Sequence, residues 1–211
     1  MSRCLIFGAL ATERLPIDPQ PGDLVIAADR GFDRAAALGI HPDLVVGDYD
    51  SLGRTPDFSP RIDLPVRKDL TDMAKAVETA FDRGYREFHI FGAAGGKLDH
   101  TVANIQIAGD LAERGAWAVF YGPENFTVIR DGGVSFSPDC RGRISVFSLS
   151  ERSQGVTISG LSYELTDGEL SAMTPLGVSN EFTGRPARIS VNRGRLLIVW
   201  QDQTVRPLWR I

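Results

Sequence analysis

Carboxylates recur in this chain directly after apolar runs, and two of the clusters also carry a lysine. The densest cluster is Val45-Val46-Gly47-Asp48-Tyr49-Asp50-Ser51, where an apolar run closes on a glycine and then on two aspartates one residue apart. If the strand continues through them, Asp48 and Asp50 point to the same side, because side chains alternate with a period of two. Two carboxylates so placed repel each other, and a hard divalent cation or a solvated edge relieves the repulsion. Taken alone, the Asp-x-Asp is equally well a polar loop after a strand. Three further clusters shift that balance. Asp29-Arg30-Gly31 follows Leu24–Ala28, Lys68-Asp69-Leu70-Thr71-Asp72 follows Ile62–Val66, and Gly92–His100 follows Glu87–Phe91.

The chemistry suited to such a set is metal-assisted phosphoryl transfer. Asp48, Asp50 and Asp72 make a ligand set for magnesium, which takes a few carboxylates and keeps its other positions for water or phosphate oxygens. Lys68 and Lys97 are point charges for phosphate. Gly95 and Gly96 precede a helix, so backbone N–H groups there can approach an anion. Each residue also has a plainer reading. Thr71 or Asp72 serves as a helix N-cap, and so does Asp99. Asp69 pairs with Lys68 in solvent. His100 and Asn104, four apart on one helix face, form a structural hydrogen-bond set. Asp29 caps the helix near Phe32, although Gly31 beside it points to a close backbone approach. His41 and His89 lack ligand-spaced neighbours and read as structural.

The elements that must position these residues alternate. Strands are expected at Arg3–Phe7, Leu24–Ala28, Asp43–Gly47, Ile62–Val66, Glu87–Phe91 and Trp117–Tyr121. Helices are expected over Phe32–Leu38, over Met73–Phe81 and from Leu98 to near Gly115. The last shows a stripe of Leu98, Thr101, Val102, Ile105, Ala108, Leu111 and Ala112. This order describes an α/β fold whose N-terminal domain, residues 1–122, is Rossmann-like with a mainly parallel sheet. In such a sheet the four clusters share the carboxyl edge, where ligands bind. After Gly122-Pro123 the helical patterns stop. Short β-type runs follow at Phe126–Arg130, Ile144–Leu149, Val156–Ile158, Ala187–Val191 and Leu196–Trp200. Asn192-Arg193-Gly194-Arg195 reads as a hairpin turn between the last two. Residues 123–211 are therefore expected to form a small antiparallel β-sandwich.

The totals exclude several classes. A chain of 211 residues, 43% hydrophobic and 24% charged, can bury a proper core. A net charge of -4 without a basic stripe argues against nucleic acid as a partner, and scattered Lys and Arg argue against a membrane surface. Cys4 and Cys140 form no C-x-x-C pattern and read as reduced thiols. The first residues lack a signal-peptide layout and no apolar run approaches membrane-spanning length, so the expected location is cytoplasmic.

The clusters together resemble a known family. Asp29-Arg30-Gly31, Pro42-Asp43-Leu44-Val45-Val46-Gly47-Asp48-Tyr49-Asp50-Ser51, Lys68-Asp69-Leu70-Thr71-Asp72 and Gly95-Gly96-Lys97-Leu98-Asp99-His100 with Asn104 are similar, in order and interval, to thiamine pyrophosphokinases. The likeness continues in Gly160-Leu161-Ser162-Tyr163 and Gly177-Val178-Ser179-Asn180-Glu181-Phe182. The resemblance implies transfer of the pyrophosphoryl group of ATP to the hydroxyl of thiamine, giving thiamine diphosphate and AMP, with Mg2+. It places the metal on Asp48, Asp50 and Asp72, and adds Lys68 and Asp99 to the catalytic set. ATP and phosphate binding fall on Asp29, Gly31, Lys68, Asp69, Thr71, Gly95, Gly96, Lys97, His100 and Asn104. Thiamine falls on Tyr163, Ser179 and Asn180, in a homodimer with the thiamine site between subunits. Tyr163 offers an aromatic face to a cationic ring, or is a half-buried strand tyrosine. Two positions depart from the pattern: Arg30 stands where a second glycine is usual, and Lys97 stands for the commoner arginine. The group that accepts the hydroxyl proton is open between Asp72, Asp99 and a metal-bound hydroxide. Competing functions are a pyrophosphokinase for another alcohol such as a hydroxymethylpterin, a non-catalytic thiamine diphosphate or nucleotide binder, and a sugar transferase using Asp-x-Asp.

Overall fold

A computed structural model describes residues 2–12, 15–202 and 207–210, and shows a mixed α/β protein with much sheet and few helices. The chain divides into two compact units. One holds the residues up to 107 together with 120–122, and the other holds 108–119 together with 123 onward. No helix among the described residues is long and apolar enough to cross a membrane.

The first unit is built on parallel strands β1 (Arg3–Phe7), β2 (Leu24–Ala28), β3 (Leu44–Gly47), β4 (Arg61–Asp63) and β5 (Glu87–Phe91), in the order β5-β1-β2-β3-β4. All five residues of β2 are buried, and so are Cys4–Phe7 of β1. Strands enclosed on both faces read as continuous apolar runs, which is why their positions are plain in the sequence. Strand β4 stops at Asp63, short of the expected Ile62–Val66, because Pro65 donates no ladder bond. Helices α1 (Gly31–Ala37), α2 (Asp72–Asp82) and α3 (Leu98–Glu113) follow β2, β4 and β5. The expected face of α2 is the buried one, with Met73, Ala76, Val77 and Ala80 packed inward. In α3 the first turns differ from expectation. Leu98 and Val102 are exposed, and burial falls on Asn104, Ala108, Leu111 and Ala112. Polar Asn104 takes an inward position that hydrophobicity alone would give to a neighbour.

After β6 (Trp117–Tyr121), the second unit is antiparallel: β7 (Asn125–Phe136), β8 (Arg143–Ser148), β9 (Arg152–Ser159), β10 (Leu165–Ser171), β11 (Gly177–Glu181), β12 (Ala187–Trp200) and β13 (Leu208–Arg210). The expected hairpin at Asn192–Arg195 is absent. Ala187–Trp200 is one strand, and both of its halves pair with β7, Ala187–Val191 against Phe136–Gly132 and Arg195–Trp200 against Arg130–Asn125. Asn192, Arg193 and Gly194 are surplus residues facing Asp131, and Gly194 has φ +102°. Its permissive backbone serves a bulge instead of a reversal. Strands β10, β11 and β13 escape a sequence reading, and the exposed, polar residues of β10 and β11 offer no alternating pattern. Cys4 and Cys140 are buried and free. Burial raises both thiols, that of Cys140 to about 11.

Candidate active site

A cavity of about 770 Å³ opens at the carboxyl ends of β1, β2, β3 and β5, lined by residues of the first unit alone. This is where an open parallel sheet offers its ligand crevice. Three carboxylates meet there. Asp29, Asp48 and Asp50 each present a ligand atom within 4.8 Å of the others. Asp29 leaves β2 with φ +49°. Aspartate tolerates that left-handed region better than most residues. The Asp29 N–H donates to Val46 O at 2.8 Å. Gly47 permits this approach: a Cβ there would lie 3.1 Å from Asp29 Cα. One Asp29 oxygen, Oδ2, accepts from the Ser51 hydroxyl. The other, Oδ1, is buried with no hydrogen-bond partner. An orphaned carboxylate oxygen beside two further carboxylates is costly without a counter-charge. The donor set is all hard oxygen, and it fits a divalent cation such as magnesium.

Asp48 and Asp50 converge for a different reason than strand alternation. Strand β3 ends at Gly47, and Tyr49 lies in the left-handed region at φ +63°. A turn, not a pleat, therefore sets the directions of the two carboxylates. Asp50 N–H donates to Asp48 Oδ1 at 3.2 Å within that turn.

Asp72 reaches the same cavity through a lysine. Lys68 Nζ donates to Asp48 Oδ2 at 2.7 Å and also to Asp72 Oδ1. Thr71 Oγ1 accepts from Ala74 N–H at 3.1 Å, so Thr71 is the N-cap of α2 and Asp72 is left for the cavity. Burial acts on every group of this triad. It works against the charge on Asp48, but the hydrogen bond and charge of Lys68 and the Asp50 N–H together outweigh it, and the carboxyl stays below its ordinary range. For Asp72 burial wins over the same lysine, and its pKa is raised. Burial also opposes the Lys68 charge, but bonds to the two aspartates hold its pKa above the usual value.

The loop after β5 completes the rim. Gly95 has φ +83° and Gly96 has φ +75°. A side chain would strain either conformation. Asn104 Nδ2 donates to Ala93 O at 2.6 Å, tying α3 to this loop. His100 lines the cavity and its N–H donates to Asp99 Oδ1 at 2.8 Å.

In the second unit, Asn180 is buried and nearly saturated. Its Oδ1 accepts from Tyr163 N–H and Glu181 N–H, both at 2.9 Å, and its Nδ2 donates to Tyr163 O at 2.7 Å. Ser179 adopts φ +58° and donates its N–H to Ser145 Oγ at 3.0 Å. Held by Asn180, Tyr163 stands 73% exposed. That excludes the half-buried strand tyrosine.

Two family models match the chain: thiamin pyrophosphokinase, catalytic domain, over residues 20–117, and thiamin pyrophosphokinase, vitamin B1 binding domain, over residues 134–196. The chain belongs to the thiamine pyrophosphokinase family. Thiamine pyrophosphokinase from Bacillus subtilis is 25% identical over 191 residues, covering 83% of this chain and 86% of that protein. Its crystal structure superposes with a TM-score of 0.84 over 95% of this chain and 99% of that one, at 21% identity. The thiamin pyrophosphokinase structure from Geobacillus thermodenitrificans gives 0.79 at 26% identity, over 96% and 98%. Yeast thiamin pyrophosphokinase shares the fold at 16% identity, with a TM-score of 0.70 over 98% and 86%.

Within this member of the family, the cavity gathers Asp29, Asp48, Asp50, Lys68, Asp69, Thr71, Asp72, Gly95, Lys97, His100 and Asn104. Gly31, Gly96 and Asp99 do not line it. The close approach expected at Gly31 is to the protein itself, since a Cβ there would fall 1.8 Å from Phe7 O. Asp29 does not cap α1, whose N-cap residue is Arg30 with no side-chain bond. Lys68 pairs with Asp48 and Asp72 instead of Asp69. His89 is buried between Tyr121 Oη and Glu87 Oε1, each at 3.0 Å, and serves the core. Sequence reasoning missed the β1 loop, Gly8 to Ala11, and Arg34, whose Nε donates to Ala9 O at 3.0 Å. The one signal for that loop was Gly8 directly after a buried strand. Ser51, whose hydroxyl donates to Asp29 Oδ2, carries no sequence signal beyond its place after Asp50.

Proposed function

We propose that this chain transfers the pyrophosphoryl group of ATP to the hydroxyl of thiamine. The oxygen of that hydroxyl forms a bond to the β-phosphorus, the bond from the β-phosphorus to the oxygen kept by AMP breaks, and the hydroxyl proton leaves to a base. The observation that carries the reading is the convergence of five aspartates and Lys68 in one cavity at the strand ends, in a chain of this family.

Asp48, Asp50 and Asp72 are assigned to hold magnesium, and Asp29 presents a further carboxylate to the same point. Bound there, magnesium neutralises charge on the triphosphate oxygens. Lys68 and Lys97 are assigned to phosphate as point charges. The N–H groups near Gly95, at the start of α3, favour an anion. Asp72, which lines the cavity, and Asp99, which does not, are the two carboxylate candidates for proton acceptor. Transfer of this kind depends on positioning and charge stabilisation more than on covalent chemistry by the protein.

In this reading residues 1–122 form the catalytic domain and residues 123–211 the thiamine-binding β-sandwich. Exposed Tyr163 is suited to stack on a cationic ring. Exposed Met173, Leu176 and Val178 suit cover by a second subunit, consistent with a homodimer. Two buried free thiols accord with the cytoplasm. The test is acceptor choice with site variants. Thiamine, and not a hydroxymethylpterin, should release AMP from ATP. Asp48→Asn and Asp50→Asn should each lower that rate at least about a hundredfold, on the scale of losing a transition-state charge contact, while the far-UV spectrum is unchanged. Full turnover by both variants overturns the metal assignment.

A further inference from the structure

The turn that carries Asp48 and Asp50 is held by a residue that takes no part in lining the cavity. Tyr49 sits between the two carboxylates in the left-handed region, φ +63°. For a bulky residue that conformation is an outlier, and it persists only where the surroundings over-determine it. The surroundings are present. Tyr49 is 6% exposed, clustered with Ala27 and Val45, with Phe32, Leu52 and Phe58 packed against the group. Its hydroxyl donates to Asp63 Oδ1 at 3.0 Å, on the edge strand β4, with Ile62 O a longer second acceptor at 3.4 Å, and Asp63 is in turn paired with Arg61 at 2.8 Å. The Tyr49 carbonyl accepts from Gly53 N–H at 3.0 Å, closing the turn behind it.

We infer that Tyr49 is a positioning residue: its buried ring and its bond to Asp63 hold the left-handed turn that sends Asp48 and Asp50 to the point reached by Asp29. This rests on reading the three carboxylates as a cation site. The alternative, that any residue tolerant of positive φ suffices, makes an opposite prediction. Glycine enters the left-handed region without strain. If only the backbone matters, Tyr49→Gly keeps the site. If the side-chain anchor matters, Tyr49→Gly loses it although the backbone is relieved.

The test is Mn2+ binding to the nucleotide-free protein, read as the loss of the free-ion electron paramagnetic resonance signal, well below the melting temperature of each variant. Tyr49→Phe keeps the ring and loses the hydroxyl bond, and Asp63→Ala removes the same bond from the other side. Each should weaken Mn2+ binding about threefold, and the double variant should weaken it by less than the product of the two effects, because both cut the Tyr49–Asp63 link. Tyr49→Gly should weaken it at least about tenfold, the ring and the hydroxyl being lost together. A merely structural role would lower the melting temperature and leave Mn2+ affinity unchanged. That result overturns the proposal while the cation site stands. Failure of the unmutated protein to bind Mn2+ overturns the cation reading and this proposal with it. Should Tyr49→Gly not fold, Tyr49→Phe and Asp63→Ala decide the question.

Discussion

Lys68→Met removes the one ammonium that lies between Asp48 and Asp72 and keeps most of its apolar stem. The magnitude follows from how enclosed the pair is. The side chains of Lys68, Asp48 and Asp72 are 17%, 6% and 16% exposed. Removing one partner of a fully buried pair costs about 3–5 kcal/mol, and an exposed pair is worth about 0–1 kcal/mol. A triad that lines an open cavity falls between, so the metal-free variant should lose about 1–3 kcal/mol at neutral pH. For a chain of this size that is a fall of about 2–4 °C in melting temperature per kcal/mol. The assay is thermal unfolding at low salt with a chelator, repeated with excess Mg2+. The variant should regain more stability from Mg2+ than the parent does, because the cation no longer competes with an ammonium for Asp48 and Asp72. Equal stability of variant and parent in chelator, together with an equal gain from Mg2+, would refute the reasoning.

Three further outcomes follow from the same geometry. The pKa of Lys68 is raised above its ordinary 10.5 by its two aspartates against the opposing pull of burial. Its contribution is therefore full below 10.5 and is lost as pH rises through the raised value. Alkaline unfolding of the metal-free protein should show a stability loss above pH 10.5 that Lys68→Met lacks. Asp29→Asn should leave the metal-free protein no less stable, since it relieves repulsion, yet weaken Mn2+ binding at least about tenfold in a titration of the free protein. Asn180→Ala strips three hydrogen bonds from a buried clasp and leaves backbone groups of Tyr163 and Glu181 unpaired. Urea unfolding of that variant should show a loss of about 1–3 kcal/mol. The same variant should raise the KM for thiamine more than it lowers kcat.

Much of the first unit was legible because β1, β2, β3 and β5 are buried and announce themselves as apolar runs, each ending at or just before a glycine or aspartate. The gathering of Asp29, Asp48, Lys68, Asp72 and Asn104 at one edge follows from strand order alone. The aim of Asp48 and Asp50 does not. The motif spacing suggested a pleat, whereas the chain leaves the strand and turns at Tyr49, and a positive φ at tyrosine has no sequence signature. Asp29 was legible as a strand-end acid but not as a partner of the pair, because its oxygens reach that point only through the close approach over Gly47. Gly31 looked like a ligand contact and is a contact with β1. In the second unit the same limit appears at Asn192–Arg195. Surplus residues in a bulge and residues in a hairpin turn have the same composition. Only the pairing of both flanks with β7 separates them. The exposed strands β10 and β11 carry no hydrophobic period to read.

The most direct measurement is the release of AMP from ATP by the purified protein, with thiamine and Mg2+ omitted singly and together, and with thiamine diphosphate followed as the second product. AMP and thiamine diphosphate should form in equal amounts, and only when both are present. AMP release without thiamine, or turnover undiminished by a chelator, would contradict metal-dependent transfer to thiamine.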